Sequence, residues 1–272
     1  FVHHHIPCMR CEECRKGHYT LCRQFKKTHY QPGGFAEYFK AGAEHVKKDT
    51  LKLPDHVSFE EASLIEPLAC ALHGIERMDV KPSDRIAVVG TGTIGLMLIE
   101  ALKAYGVSDI VAYEIIPWRQ EMAKKKGVLS APAAEDDPEK ELEKLQEEFG
   151  WNQFDKVCVM AKDVRAMETG FRLTGKGGKL LLFATPAPEE YLKFYVSEAF
   201  FKEMEVLLTY SANQNNTREA LRLIASGMID AKSYITHRFS LGELDKAIAQ
   251  TIGRGQCLKC IIKIDETEEG SK

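Results

Sequence analysis

The sequence predicts an α/β protein in which a doubly wound parallel sheet is joined to a second, smaller and irregular β region. Three observations carry this reading. From Arg85 onward, short β-rich apolar runs alternate with segments that are apolar at helical spacing. Glycines and prolines mark most of the changeovers, as repeated βα units require. Four cysteines crowd into the fifteen residues from Cys8 to Cys22, outside that alternation. At 272 residues the chain exceeds what one core usually needs, so two domains are expected.

The opening segment, from Phe1 to about Leu53, mixes turn residues with short apolar runs. It reads as small irregular β, with Gly33 and Gly34 leading into the strand-like FAEYF. The run IAVVG then predicts a strand, and IGLMLIEALKAYG a helix too short for a membrane. DIVAYE is a second strand, followed by a helix that Pro117 opens and Gly127 closes. The acidic stretch Glu135 to Gly150 reads as a solvated helix with Pro138 in its first turn, and KVCVM as a strand in which Cys158 is a core residue. A helix around RAMETGFRL, the strands KLLLFA and EVLLTY, and a helix from about Thr217 complete the alternation. A helix near LGELDKAIAQ and a strand, LKCIIKI, follow, and the tail DETEEGSK is expected to fray. Without a repeat or a low-complexity linker, the second domain must be assembled from both ends of the chain. The expected division is 1–71 for the small β domain, 72–230 for the sheet, and 231–272 returning to the first domain.

Composition narrows the partners. With 37 basic and 40 acidic residues the net charge is −3, and Lys and Glu are interspersed, so no broad basic face for nucleic acid and no polybasic membrane segment is expected. No apolar run reaches the roughly 18 residues of a membrane span, and FVHHHIPC lacks the pattern of a signal peptide. A cytoplasmic protein acting on small molecules is the expectation.

Cys8, Cys11, Cys14 and Cys22 have the spacing C-x2-C-x2-C-x7-C. Four thiolates on a short loop surround zinc tetrahedrally and leave no open position, which makes such a site structural. Reduced thiols or an iron–sulfur centre are the alternatives, although ferredoxin-like runs usually continue into Cys-Pro. His3, His4 and His5 beside the loop read as strand residues, with a metal patch or a tag remnant as the other possibilities. Cys257 and Cys260 also form a CxxC, but in a strand a three-residue offset points them to opposite faces, so they read as core packing.

GTGTIG, from Gly90 to Gly95, fits G-x-G-x-x-G and stands between a predicted strand and a predicted helix. In this Rossmann arrangement Gly90 permits the tight turn, Gly92 admits a pyrophosphate, and Gly95 allows close helix–sheet packing. Thr93 and Ile94 open the helix whose N-terminus faces the phosphates. Glu114, nineteen residues after Gly95, stands where an acidic side chain accepts ribose hydroxyls and repels a 2′-phosphate, which favours NAD over NADP. Arg119 lies one helical turn further on and flanks the adenine in this reading.

Together, the four-cysteine loop, GGFAEY, IEPLACALHG, GTGTIG with Glu114, and ITHRFSLGELDKAI resemble the zinc-dependent medium-chain alcohol dehydrogenases. More narrowly they resemble the polyol (sorbitol) and threonine dehydrogenase branch, in the family's order over essentially the whole chain. The resemblance implies a Rossmann domain with a GroES-like β domain, NAD as hydride acceptor, a secondary alcohol or polyol as substrate, structural and catalytic zinc, and a homodimer or homotetramer. It implies that Glu66, in IEPLACALHG, ligates or adjoins the catalytic zinc and is the candidate catalytic residue; the alternative is a helix N-terminal cap near Pro67. His73, seven residues on along the same helical face, reads as a packed, hydrogen-bonded histidine rather than a ligand. It also implies that Phe183, Ala184, Thr185, Tyr210 and Ser211 line the nicotinamide pocket. Two departures stand out. Where sorbitol dehydrogenases carry an Arg-Tyr pair for the polyol, this chain reads TYSAN, which argues against sorbitol itself. The family pattern also starts further upstream, with a zinc-ligand cysteine, a nearby Ser or Thr, and a Gly-His-Glu motif that this sequence does not contain. The chain as given is therefore expected to have an incomplete GroES-like domain and catalytic zinc site, and to bind NAD better than it turns over. The rival reading is a non-catalytic NAD-binding protein that retains structural zinc.

Overall fold

The structure is a computed structural model that describes residues 1–132, 138–253 and 255–264. The expected fraying of Asp265 to Lys272, and the start of the acidic stretch at Glu135 to Asp137, lie outside the described residues. The chain forms two compact units: Ala71–Tyr210, and Phe1–Cys70 with the residues from Ser211 onward.

The central unit is a five-stranded parallel sheet built from β1 (Ile86–Val89), β2 (Ile110–Tyr113), β3 (Phe154–Val159), β4 (Thr174–Leu182) and β5 (Glu205–Leu208). Its order is β2-β1-β3-β4-β5, with every neighbouring pair parallel. Among the described residues, Ser130 forms an isolated parallel bridge to Val111 of β2. The chain leaves β1 toward β2 and returns to the other side at β3, so the strand order reverses at the carboxyl end of β1. A doubly wound sheet binds its ligands at such a switch point.

Every residue of β1 and β2 is buried, as expected of parallel strands covered on both faces. The predicted helices form at Thr93–Ala104, Pro117–Lys125, Pro138–Phe149, Val164–Leu173 and Gln214–Ala225. The acidic helix is amphipathic rather than solvated all round. Leu142, Leu145 and Phe149 recur at helical spacing and pack with Phe154, Phe171 and Leu180.

In the other unit, β6 (Ile235–Ser240) and β7 (Lys259–Lys263) form a parallel pair against which the helix Leu244–Ile252 packs. Arg238 of β6 donates two hydrogen bonds to Glu60, at 2.8 and 2.7 Å. Residues 211–230, expected with the sheet, belong to this unit instead. The reason is a set of bonds from the helix Gln214–Ala225 to the segment 48–56. Thr217 Oγ1 donates to Asp49 at 2.9 Å, Arg218 Nη2 donates to the Lys48 carbonyl at 2.9 Å, and His56 Nε2 donates to the Ala225 carbonyl at 3.0 Å.

The opening segment holds less β structure than predicted. Among the described residues it has only the bridges Val2–Thr50 and Gln31–Lys40, with short helical turns between them. FAEYF forms no strand. Phe35 and Tyr38 are 63% and 86% exposed, so no packed face or ladder rewards an extended run there. Among the described residues, no helix is long and apolar enough to cross a membrane.

Candidate functional site

The glycine turn sits at the carboxyl end of β1. Gly90 has φ +96°, a left-handed conformation that only glycine adopts at little cost. Gly95 has no room for a side chain, because an added Cβ would lie 2.2 Å from the Gly90 carbonyl oxygen. Gly92 is the N-cap of the helix Thr93–Ala104 and makes no side-chain cap hydrogen bond, so the positive end of the helix dipole lies directly after the glycine turn.

Glu114, immediately after β2, is 4% exposed, and its carboxylate fastens this turn to the neighbouring strand. Oε2 accepts from Thr91 N at 2.8 Å and Thr91 Oγ1 at 3.1 Å. Oε1 accepts from Ile115 N at 2.9 Å and Ile116 N at 3.1 Å. A carboxylate offers about four acceptor positions, so a ribose hydroxyl would replace the weaker Thr91 hydroxyl bond rather than find an idle oxygen. Sequence reasoning missed this second role of Glu114.

The Arg119 guanidinium comes close to the same turn, its Nη1 3.9 Å from where a Gly92 Cβ would stand. Its buried Nε has no hydrogen-bond partner among the described residues. A buried orphan donor beside a helix N-terminus fits a phosphate-bearing cofactor. Phe183, Ala184 and Thr185 follow β4, and Tyr210 and Ser211 come two and three residues after β5, all at the same carboxyl edge of the sheet. Phe183 and Ala184 are half-buried, and Thr185 and Tyr210 are exposed. His73 Nδ1 is 3.2 Å from Thr209 Oγ1, a packed and hydrogen-bonded histidine as expected.

In the other unit, the Sγ atoms of Cys8, Cys11, Cys14 and Cys22 all lie within 4.8 Å of one another. Cys11 and Cys14 are 3.5 Å apart, and Cys8 and Cys14 3.9 Å. Thiolates about 2.3 Å from a tetrahedral zinc would be separated by about 3.8 Å, so the loop already has the size of that polyhedron. Backbone N–H groups point at the sulfurs, from Cys8 to Cys22 and from Cys11 to Cys8, both at 3.3 Å. The Arg10 amide, followed by the Cys11 amide, lowers the Cys8 thiol to about 6, while burial raises Cys14 to about 12. A cation at the centre would favour the thiolate form of all four.

Glu66 lies in the first turn of the helix Ile65–Met78, and its Oε1 accepts from Cys70 Sγ at 3.4 Å. Burial, with Glu66 adding to it, pushes the Cys70 thiol up. Tyr30 is also pushed up, by burial and then by the charges of Asp49 and Glu66, and its hydroxyl donates to the Val2 carbonyl. Burial lowers His5, against the Thr28 carbonyl and Glu66. Cys70 therefore meets Glu66 directly, which sequence reasoning missed, and the Glu66 charge is felt at Tyr30 and His5. The one local signal was Cys70 at i+4 on the same helix face. Among the described residues, Glu66 joins no cluster of three potential metal ligands.

The three histidines before the loop are folded in rather than trailing. His3 is 1% exposed and pairs with Asp49 Oδ2 at 2.9 Å. Burial first, then the surrounding imidazoles of His5, His3, His29 and His45, push His4 down to about 4. His3 and His5 both pack on Phe25, at ring-centroid distances of 6.1 and 4.9 Å, but the three histidines form no strand, since the bridge to Thr50 stops at Val2.

Residues 93–226 match the family model for zinc-binding dehydrogenases. The chain is 30% identical over 262 residues to a sorbitol dehydrogenase of Bacillus subtilis (strain 168), covering 94% of this chain and 71% of that protein. It is 31% identical over 259 residues to an L-idonate 5-dehydrogenase of Vitis vinifera, covering 92% of this chain and 68% of that protein. The fold is shared with the alcohol dehydrogenase TADH from Thermus sp. ATN1, with TM-score 0.85 at 23% identity over 97% of this chain and 76% of the other.

Proposed function

The chain belongs to the zinc-dependent medium-chain alcohol dehydrogenases, in their polyol branch, and from that premise we propose that it binds NAD at the Gly90–Gly95 turn and serves hydride transfer from a secondary alcohol or polyol. The observation that carries the NAD assignment is the buried Glu114 carboxylate beside the glycine turn. Its fixed negative charge favours two ribose hydroxyls over a 2′-phosphate. Gly90 and Gly92 admit the pyrophosphate, the N–H groups of Thr93, Ile94 and Gly95 bind it, and Arg119 places a cation beside it. Phe183, Ala184, Thr185, Tyr210 and Ser211 line the nicotinamide end. When bound, NAD supplies the hydride acceptor, and the alcohol leaves as a ketone with release of one proton.

Cys8, Cys11, Cys14 and Cys22 hold structural zinc in this reading, and Glu66 stands at the catalytic metal. A metal that acidifies an alcohol needs about three protein ligands and one open position. The described residues supply only Glu66 there, so they do not complete that site, and no reaction step is derived through it. This observation also favours a second reading, an NAD-binding protein that retains structural zinc without turnover. Exposed Phe200, Phe201 and Leu208, on and before the edge strand β5, support self-association through the central unit.

Calorimetric titration with NAD and NADP, together with NADH formation against a panel of diols, polyols and threonine, tests the proposal. Binding of NAD in preference to NADP, with weak or no turnover, is expected for the chain as given. Preference for NADP would overturn the role of Glu114, and failure to bind either nucleotide would overturn the site.

A further inference from the structure

The strand reading of CLKCII sets Cys257 and Cys260 on opposite faces, but the structure brings them together. Their Sγ atoms are 3.5 Å apart. The cause is where the strand begins. β7 starts at Lys259, so Cys260 is a strand residue while Cys257 lies in the bend before it, where alternation no longer sets its direction. His237 of β6 is the register partner of Cys260, and directly opposed residues in a sheet present their side chains on one face. One His237 ring nitrogen and the two sulfurs all lie within 4.8 Å of one another. Cys257 is buried, and Cys260 and His237 are half-buried.

We propose that His237, Cys257 and Cys260 form a second metal site, separate from the four-cysteine loop, that takes a thiophilic ion such as zinc with one coordination position left open. The donor set sets the class of metal, because two thiolates and an imidazole suit zinc or monovalent copper and not magnesium or calcium. The sulfur separation is close to the roughly 3.8 Å edge of a zinc–thiolate tetrahedron. The surroundings already hold the imidazole. Thr236 Oγ1 donates to the Lys259 carbonyl at 3.3 Å and so accepts from His237 Nδ1 at 2.9 Å, which leaves His237 Nε2 as the ligand atom. Gln250 Nε2, 3.2 Å from His237 Nε2, gives up that contact when a metal binds. Hydrogen-bond partners of this kind orient metal-binding histidines. Binding would tie β6, β7 and the bend before β7 at one point. A water occupies the open position.

The test is metal per chain on the full protein, stripped with a chelator and reloaded with zinc alone, compared with the double variant Cys257→Ser, Cys260→Ser. A loss of one zinc per chain in the double variant is expected, from two to one if the four-cysteine loop is loaded, and from one to none if it is not. The second result would retain this site and overturn the zinc assignment of the loop. Equal zinc content in the two proteins would overturn the proposal. A disulfide joining Cys257 to Cys260 in freshly purified protein, seen as a mass about 2 Da lower on the peptide that carries both, would also overturn it in favour of a redox pair. His237→Ala, which leaves both cysteines in place, is expected to weaken zinc at this site at least tenfold, read by competition with a chromogenic chelator. The same variant should leave NAD affinity unchanged. An unaltered zinc affinity would remove His237 from the site and overturn the proposal as stated.

Discussion

Replacing Gly95 with alanine adds one carbon at the tightest point of the proposed cofactor site. That carbon would stand 2.2 Å from the Gly90 carbonyl oxygen, 3.2 Å from the Gly90 carbonyl carbon and 3.6 Å from Met160 Cγ. Carbon and carbonyl oxygen ordinarily approach to about 3.3 Å, so roughly 1 Å must be found. The obstructing atom is backbone and cannot rotate away, so the turn itself must open. Overpacking of this kind costs about 1–3 kcal/mol, while alanine improves on glycine in a helix by about 1 kcal/mol, leaving a net loss of up to about 2 kcal/mol. For a unit of this size that lowers the unfolding midpoint by a few degrees, at roughly 2–4 °C per kcal/mol. The same opening displaces Gly92 and the first-turn N–H groups, and NAD affinity should fall at least about tenfold, equivalent to about 1.4 kcal/mol. Calorimetric NAD titration and thermal unfolding read the two effects. Gly34→Ala is the control, since its added carbon meets nothing within 4 Å and its φ is not positive. Wild-type NAD affinity in Gly95→Ala would refute the reasoning, because the 2.2 Å contact cannot be relieved without moving the turn.

Glu114→Gln removes the buried charge and turns an NH2 group toward one pair of the N–H donors it now satisfies. Discrimination between NAD and NADP should fall at least about tenfold, measured as the ratio of the two dissociation constants. Asp84 accepts from the buried Lys156 and from the Lys81 amide at 2.6 Å, so Asp84→Ala leaves a lysine uncompensated in β3. A loss of about 3–5 kcal/mol is expected in denaturant unfolding, and a loss under 1 kcal/mol would mean that the ammonium reaches water. Arg238 beside Glu60 holds that carboxyl below its ordinary value. Its contribution to stability is therefore complete above the unfolded value of about 4.3 and is lost as the pH falls through the lower folded value. Glu60→Gln should reduce stability at pH 7 and flatten the acid limb of the unfolding profile, with the two proteins converging at the lowest pH.

The central sheet was legible because its strands are buried on both faces and read as continuous apolar runs such as IAVVG and KVCVM, with helical spacing between them. GTGTIG was legible because the chemistry of a tight turn before a helix demands glycine at fixed intervals. The four-cysteine loop was legible because its ligands are local in sequence. FAEYF was misread, since a β-rich run becomes a strand only where a ladder or a packed face receives it, and sequence carries the propensity without the partner. The grouping of 211–230 was likewise hidden, because it depends on Asp49, Lys48 and His56 meeting a helix more than 160 residues away.

Local periodicity and spacing thus determined the α/β class, the parallel strands, the glycine turn and the four-cysteine cluster, since each depends on residues within one turn, strand or loop. Only the tertiary structure decided that Glu114 fastens the glycine turn through Thr91. Register placed His237 opposite Cys260, and the bend before β7 brought Cys257 to both. In each case groups distant in sequence converge, or a strand begins a residue or two away from where its composition suggests. A change of that size is enough to turn a side chain to the other face.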